Sequence, residues 1–380
     1  MKKILVLATA GAGGDLQPLI ASTLGLLERG HEILVVGDNS VASAVKDLGI
    51  ETAVSPPACD FGPRLIAAIR DGQGLEPAAQ GELIQQRMAA WASELAPIVE
   101  NLIREHKPDL LSTSLFGVGV ANLASLATDL PWCVINSTFY VGPNPPRALE
   151  SDFSGRAVPL IQYFLPLLGK ADLILHATDP IFDYSHTDLP PAHHYVGPLI
   201  WESPAPIPDY LDKPGDQWVL VTLSSQQQDD IALAQVALQA LADQPVRVIL
   251  TIGGGHQPTE INHIPDNARI EQYVPHSKVL ERSRLLLSHA GHGSVMKSLW
   301  YGVPMVLIPW GRDQPGVAAR AEQLGVAKVI PREQLTNERL AIAIQQVLED
   351  RHIRETASEV AQRLRMYDPV ATACELLEQI

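Results

Sequence analysis

Between Ser288 and Arg320 the chain reads SHAGHGSVMKSLWYGVPMVLIPWGRDQPGVAAR, the densest set of side chains able to do chemistry. Gly291 and Gly293 punctuate a short turn, Ser294 follows, and the run Val295–Tyr301 is spaced as a helix. A glycine-rich turn that opens a helix presents backbone N–H groups and the positive end of the helix dipole, which suits a phosphate. His289 adds a donor beside that turn. Downstream, Gly302-Val303-Pro304 stops the helix, Met305–Ile308 reads as a strand, and the loop Pro309–Gln314 ends on Asp313-Gln314, a pair suited to gripping hydroxyls. Arg284–Ser288, just upstream, reads as a strand buried in a parallel sheet. In open α/β sheets ligands lie at the carboxyl ends of strands. Diphosphate at one end and a polyol at the other describes a nucleotide sugar.

A second candidate lies near the amino terminus, where Gly14-Asp15-Leu16-Gln17-Pro18 follows the first strand. A dinucleotide fingerprint starting at Gly11 needs glycine at position 16, which is Leu16, so G-x-G-x-x-G fails there. Asp15, at the first turn of a helix, is either an N-cap, a common use of Asp, or a proton acceptor. Thr222-Leu223-Ser224-Ser225-Gln226 ends another strand and serves either a phosphate or the cap of the next helix. Tyr273-Val274-Pro275-His276 places an aromatic ahead of a proline turn, a common core position. His289 and His292 form H-x-x-H, but Gly291 between them prevents a steady helical face and no third ligand is near, so no metal site is expected. His193 and His194 read as solvated, and His31 as a strand-entry residue.

The stretch from Ser288 resembles the donor signature of family 1 glycosyltransferases of the GT-B fold, in the bacterial natural-product and sterol-glucosyltransferase branch. That pattern is approximately H-G-G-x-G-[ST]-x-x-[EK]-x-L-x-x-G-V-P-x-x-x-x-P-x-x-x-D-Q-x-x-N-A-x-R. It is matched at His289, Gly291, Gly293, Ser294, Leu299, Gly302-Val303-Pro304, Pro309, Asp313-Gln314, Ala318 and Arg320. Ala290 replaces a glycine, a change that reads as harmless; Lys297 stands where many members carry Glu, and Val317 where Asn is usual. Gly14–Pro18 resembles the family's G-[HD]-x-x-P, whose His or Asp takes the acceptor's proton.

The resemblance implies an α/β chain of the GT-B fold, with two Rossmann-like doubly wound parallel-sheet domains facing across a cleft. It implies an inverting transfer of a sugar, glucose first, from a nucleoside-diphosphate sugar, UDP first and dTDP second. The acceptor would be a hydroxyl of a hydrophobic small molecule, with Asp15 as base. Ser224, Ser225, His289, Gly291, Gly293 and Ser294 would hold the diphosphate, Tyr273 and the backbone of Val274 the nucleobase, and Asp313 and Gln314 the sugar. An Asp, with a reference pKa of about 3.9, serves as base if the proton moves as the new bond forms. In relatives that use His, an Asp orients it; the matching position here is Ser114, and an Asp base has no tautomer to fix. No cofactor or metal is called for, because the nucleotide sugar is a co-substrate and preorganised donors stabilise the leaving diphosphate. Two alternatives stay open: a non-catalytic nucleotide-sugar-binding helper, and a GT-B N-acetylglucosaminyltransferase acting on a lipid-linked precursor.

The elements that must position these groups alternate. Ile4–Ala8 is a strand, Leu16–Gly30 a helix with Leu16, Leu19, Ile20, Leu24 and Leu27 at helical spacing, and Glu32–Gly37 the next strand. The rhythm continues to Trp132–Asn136 and restarts with Trp218–Leu223, which predicts two doubly wound parallel sheets. Two stretches interrupt it: Cys59–Glu105, helix-rich, and Phe139–Arg156, rich in Pro and Gly. Phe61, Met88, Trp91, Phe116, Phe139 and Tyr140 are the acceptor-pocket candidates, with core filling as the other reading of each. Residues 1–200 are read as the first domain, 201–215 as a proline-extended linker, and 216–367 as the second domain. The resemblance implies that the terminal helix, within 368–380, returns to the first domain.

Composition bounds the rest. With 380 residues, 46% hydrophobic and 19% charged, the chain suits two globular domains. A net charge of −15 argues against a nucleic-acid partner. Cys59, Cys133 and Cys374 have no pairable spacing, which fits a reducing compartment. Lys2-Lys3 precedes an apolar run too short for a signal peptide, and Pro159, Pro166, Lys170 and Asp172 break the most apolar later stretch. A cytoplasmic chain without stable membrane anchoring is expected.

Overall fold

Seven strands form one sheet: β1 (Lys3–Leu7), β2 (Glu32–Gly37), β3 (Glu51–Val54), β4 (Leu110–Ser114), β5 (Trp132–Asn136), β6 (Leu173–His176) and β7 (His193–Tyr195). Six more form another: β8 (Trp218–Thr222), β9 (Arg247–Thr251), β10 (Ala268–Glu271), β11 (Ser283–Ser288), β12 (Met305–Leu307) and β13 (Ala327–Val329). The orders are β3-β2-β1-β4-β5-β6-β7 and β10-β9-β8-β11-β12-β13. Every pair is parallel. Parallel strands are covered on both faces, and β4, β5 and β8 are accordingly buried from end to end. The strand order reverses between β1 and β4 and between β8 and β11, and there each sheet opens a crevice at its carboxyl edge.

The computed structural model describes residues 1–9, 13–142, 144–145, 147–185, 189–212, 217–225 and 228–380. Gly11-Ala12 and Gln226 lie outside them. The chain divides into two compact units, Met1–Trp201 with Asp368–Ile380, and Glu202–Tyr367. Of the segment read as a linker, residues 202–212 are built into the second unit: Leu211 is buried, and Tyr210 Oη donates to Glu271 at 2.6 Å. Among the described residues no helix is long and apolar enough to cross a membrane.

Several elements were hidden by short length or by proline. Strands β3, β6, β7 and β13 have three or four residues each. The apolar stretch after residue 157 is a helix, Val158–Leu168, despite two prolines: Pro159 occupies its first turn, where the missing N–H costs nothing, and Pro166 lies near its end. The first interruption becomes helices Phe61–Asp71 and Pro77–His106. His193 is not solvated. It is buried, its ring stacked at 5.2 Å on His176, because β7 is paired to β6 there.

The terminal helix, Pro369–Glu378, starts where Asp368 accepts the N–H groups of Val370 and Ala371 at 3.0 and 3.1 Å. It packs on the Leu16–Glu28 helix at Gly25, where an added Cβ would overlap Val370 Cγ1 and lie 2.8 Å from Cys374 Sγ. Beyond this notch Arg29 grips Glu378 with two bonds of 2.8 and 2.7 Å. His31 accepts the Lys2 N–H on Nδ1, which leaves Nε2–H to donate to Glu378 at 2.8 Å. Arg29, with help from His31, holds the Glu378 carboxyl at about 2.

Alanine is the better helix former by about 1 kcal/mol, yet Gly25→Ala is expected to destabilise the chain by about 1–2 kcal/mol through overpacking. Urea unfolding followed by circular dichroism measures this, and Val370→Ala in the same chain should recover most of the loss.

Candidate active site

In the second unit, β8 and β11 end side by side and their loops carry the phosphate candidates. The loop after β8 is clipped by a buried carboxylate. Asp230 accepts the Ser224 N–H at 2.8 Å and the Gln228 amide at 3.2 Å on one oxygen. Its other oxygen lies 2.9 Å from His256 Nε2, and His256 Nδ1 is 3.2 Å from Glu260. Burial pushes the His256 pKa down, but the hydrogen bonds it donates to the Asp230 and Glu260 carboxylates outweigh it and leave it above 6.5. Sequence reading missed both residues. Asp230 stands just before an apolar helix and so resembles an ordinary N-cap, but its side chain reaches back to the loop instead of capping. Ser224 is buried and Ser225 exposed.

The turn after β11 explains its glycines. The helix begins at His292, three residues earlier than its apolar spacing suggests, with Gly291 as cap. Ser294 and Val295 N–H groups both bond to Gly291 O, at 3.0 and 3.1 Å. The first N–H groups of a helix have no acceptor within it, and Gly293 supplies one of them at the carboxyl end of β11. A Cβ on Gly291 would sit 2.5 Å from His289 Nε2, so only glycine lets the imidazole lie flat on the turn. Ala290 is not a harmless replacement. Its φ is +67°, the left-handed region, which costs a residue with a Cβ about 1–2 kcal/mol.

His289 is buried, and that burial pushes its pKa down to about 4. Its Nδ1 lies 3.4 Å from the Thr222 carbonyl, which can only accept, so Nδ1 carries the proton and Nε2 faces Gly291 as an acceptor. To donate to a phosphate the ring must gain a proton or change tautomer, which qualifies the donor role expected of it.

Tyr273 exposes its ring, and its Oη donates to Ser203 O at 3.0 Å; the Val274 side chain is buried, which leaves its backbone as the available part. The next residues meet the charge that replaces the family's Glu. Lys297 Nζ is 2.9 Å from Glu202, with both side chains under a tenth exposed. Glu202 also accepts the N–H groups of His276 and Ser277 at 2.9 and 3.0 Å. Burial alone would raise the Glu202 pKa, but Lys297 and these donors bring it below 4.5. The same burial and the Lys297 charge push His276 down to about 3.

Gln314 does not project toward a sugar. Its Oε1 accepts the Trp310 and Gly311 N–H groups at 2.7 and 2.9 Å, and its Nε2 donates to Gln228 at 3.0 Å. The amide therefore shapes the loop and ties it to the one after β8. Asp313 is half-buried at the start of the Gln314–Gln323 helix, and Val317 is buried on that helix.

In the first unit Asp15 is buried, makes no capping bond, and accepts a hydrogen bond from the Ser137 hydroxyl just past β5. Ser114, the position matched by analogy, is buried at the end of β4. The acceptor candidates fall into separate groups. Phe61, Trp91, Phe116 and Phe164 form a chain of edge-on rings 5.1–5.8 Å apart. Met88 joins Phe61 and Trp91 around a small surface pocket. Phe139 packs on Phe153, and Tyr140 on His176 and His193. Five of the six are almost fully buried, so their side chains serve as core here. Among the described residues no cluster of three or more His, Cys, Asp or Glu could hold a metal.

Residues 235–375 match the family described as Erythromycin biosynthesis protein CIII-like, C-terminal domain. The chain is 24% identical to demethyllactenocin mycarosyltransferase of Streptomyces fradiae, over 97% of this chain and 84% of that one. It is 26% identical to the NDP-glycosyltransferase YjiC of Bacillus subtilis (strain 168), over 90% and 88%. The crystal structure of CalG4, the calicheamicin glycosyltransferase, superposes with a TM-score of 0.80 over 100% of this chain and 98% of that one, at 21% identity. The class is thereby defined: a glycosyltransferase of the GT-B fold. Within it, residues 235–375 carry the family match, and the full-length relatives to which the chain is similar include bacterial natural-product glycosyltransferases.

Removing one partner of a buried ion pair typically costs 3–5 kcal/mol, so Glu202→Ala is expected to cost about 3 kcal/mol or more. Lys297→Met should cost less, because the carboxylate keeps two N–H donors. The Glu202 pKa is lowered on folding, so its stabilisation is in place above its unfolded value of 4.5 and is lost as pH falls. Denaturant midpoints of both variants between pH 7 and pH 4 read both effects.

Proposed function

We propose that the chain is an inverting transferase that moves a sugar from a nucleoside-diphosphate sugar, UDP-glucose first, to a hydroxyl of a hydrophobic natural-product acceptor. The observation that carries this reading is the glycine-capped helix start at Gly291–Ser294 lying beside the Ser224 loop at the carboxyl ends of two adjacent strands. Backbone N–H groups and a helix dipole at that place favour a diphosphate. The relatives' names support the acceptor class: one is a mycarosyltransferase acting on demethyllactenocin.

In the reaction, the acceptor oxygen forms a bond to the anomeric carbon as that carbon's bond to the diphosphate oxygen breaks. The acceptor's proton passes to the Asp15 carboxylate, and the electron pair leaves with the nucleoside diphosphate. Attack opposite the leaving group inverts the anomeric centre. Gly291, Gly293 and Ser294 would hold the diphosphate with Ser224 and Ser225, Tyr273 and Val274 the base, and Asp313 the sugar. The charge that develops on the diphosphate would be met by preorganised backbone donors.

Two measurements test this. UDP at a hundred times its Kd should stabilise the fold by about 2.7 kcal/mol, read as a rise in Tm that NAD does not produce. Asp15→Asn should keep that rise while UDP-glucose-dependent transfer to a panel of polyphenols falls by about 10²–10⁴-fold. Transfer at the wild-type rate by Asp15→Asn would remove Asp15 from the mechanism.

A further inference from the structure

A carboxylate base works in one direction, and the signature around Asp15 contains nothing that would aim it. The structure supplies a partner from 122 positions away: Ser137 Oγ donates to Asp15 Oδ1. Ser137 is half-buried and Asp15 buried, so little water competes for that bond. The backbone that carries Ser137 is held firmly. Asn136 Nδ2 lies 2.8 Å from Phe139 O and 3.3 Å from Thr138 O, which closes the chain into a tight turn around Ser137. The same amide meets His176 Nδ1 at 2.9 Å, and His176 Nε2 meets His193 Nδ1 at 3.0 Å. An amide N–H donates to a ring nitrogen only where that nitrogen is bare. The His176 proton therefore sits on Nε2 and points to His193. The ladder β7–β6–β5 thus fixes the turn from behind.

Resting on the reading of Asp15 as base, the geometry points to Ser137 as the positioning residue of that base. Its hydroxyl orients the Asp15 carboxylate and stabilises the ionised form that must receive the acceptor's proton, while Ser137 keeps its own. This division of labour differs from a His base, where a carboxylate aims the ring. Here a neutral hydroxyl aims a carboxylate, from β5 and not from the β4 position that analogy suggests.

The test uses the full chain with carbon-13-labelled Asp carboxyls, followed by NMR as pH changes. The Asp15 signal is the one missing from Asp15→Asn. The titratable groups packed behind the loop are His176 and His193 through Asn136, and Asp183, which accepts the Tyr140 N–H at 2.6 Å and the Tyr195 hydroxyl at 2.9 Å. The Asp183 carboxyl signal persists in Asp15→Asn and serves as an internal control. Ser137→Val and Ser137→Thr are a matched pair in size, and only Thr keeps the hydroxyl. A hydrogen bond to the charged form favours it. The Asp15 signal in Ser137→Val should therefore titrate about half to one pH unit higher than in wild type, with Ser137→Thr close to wild type. Ser137→Ala, which adds no bulk, should behave as Val does. The acid limb of kcat/KM for UDP-glucose-dependent transfer should move upward with it. Coincident titration of Asp15 in the Val, Ala and Thr variants would overturn the proposal. A fully active Asp15→Asn would instead overturn the base assignment while leaving the titration result in place.

Discussion

The second unit depends on a constraint of parallel sheets. A strand can be followed by only one crossover, and the chain passes from β8 to one side of the sheet and returns to start β11 on the other. The two loops at that junction diverge, and neither can cover the backbone of the other. The polar groups of the loops along this edge of the sheet must then be satisfied by side chains sent from elsewhere. Asp230 comes from the start of the following helix to hold the Ser224 loop, and Gln314 comes from beyond β12 to hold the Trp310 turn. Glu202 enters from the first residue of the unit to hold His276 and Ser277.

These clips have an electrostatic result. Carboxylates this deep are tolerated because each accepts two or more N–H bonds and faces a cation or a histidine. The neighbouring histidines respond in opposite directions. His256, between two carboxylates, is pushed upward, whereas His276 and His289, buried near cations, are pushed to about 3 and about 4. At neutral pH the positive potential near the helix start therefore comes from Arg312 and backbone N–H groups, not from imidazolium.

Much of this was legible in the sequence because it is local. A glycine at a crowded turn, a Gly-Val-Pro stop and alternating apolar runs each state their geometry within a few residues. Gly291 is where it must be, given how close the His289 ring lies. What could not be read was any contact between distant positions. Nothing near Asp15 names Ser137, and nothing near Ser224 distinguishes Asp230 from the many aspartates that cap helices. Residue type misled in three places. Gln314 stands where a sugar ligand is expected but spends its amide on its own loop. Ala290 looks interchangeable with glycine until its φ is known. The aromatics of the two interruptions look like pocket lining, yet ring-on-ring packing buries them, and apolar patterning cannot separate a core from a pocket wall.

The terminal helix belongs to the first unit although the whole second unit precedes it in the chain. A ribosome therefore releases the first sheet's residues long before the piece that covers the Leu16–Glu28 helix has been made. At about 5–20 residues per second, the groove at Gly25 waits on the order of tens of seconds for Val370 and Cys374 to arrive. During that interval the nascent first unit shows an apolar furrow to any chaperone or neighbouring chain. A transcript cut a dozen codons short would leave that furrow permanently open, with both sheets otherwise complete.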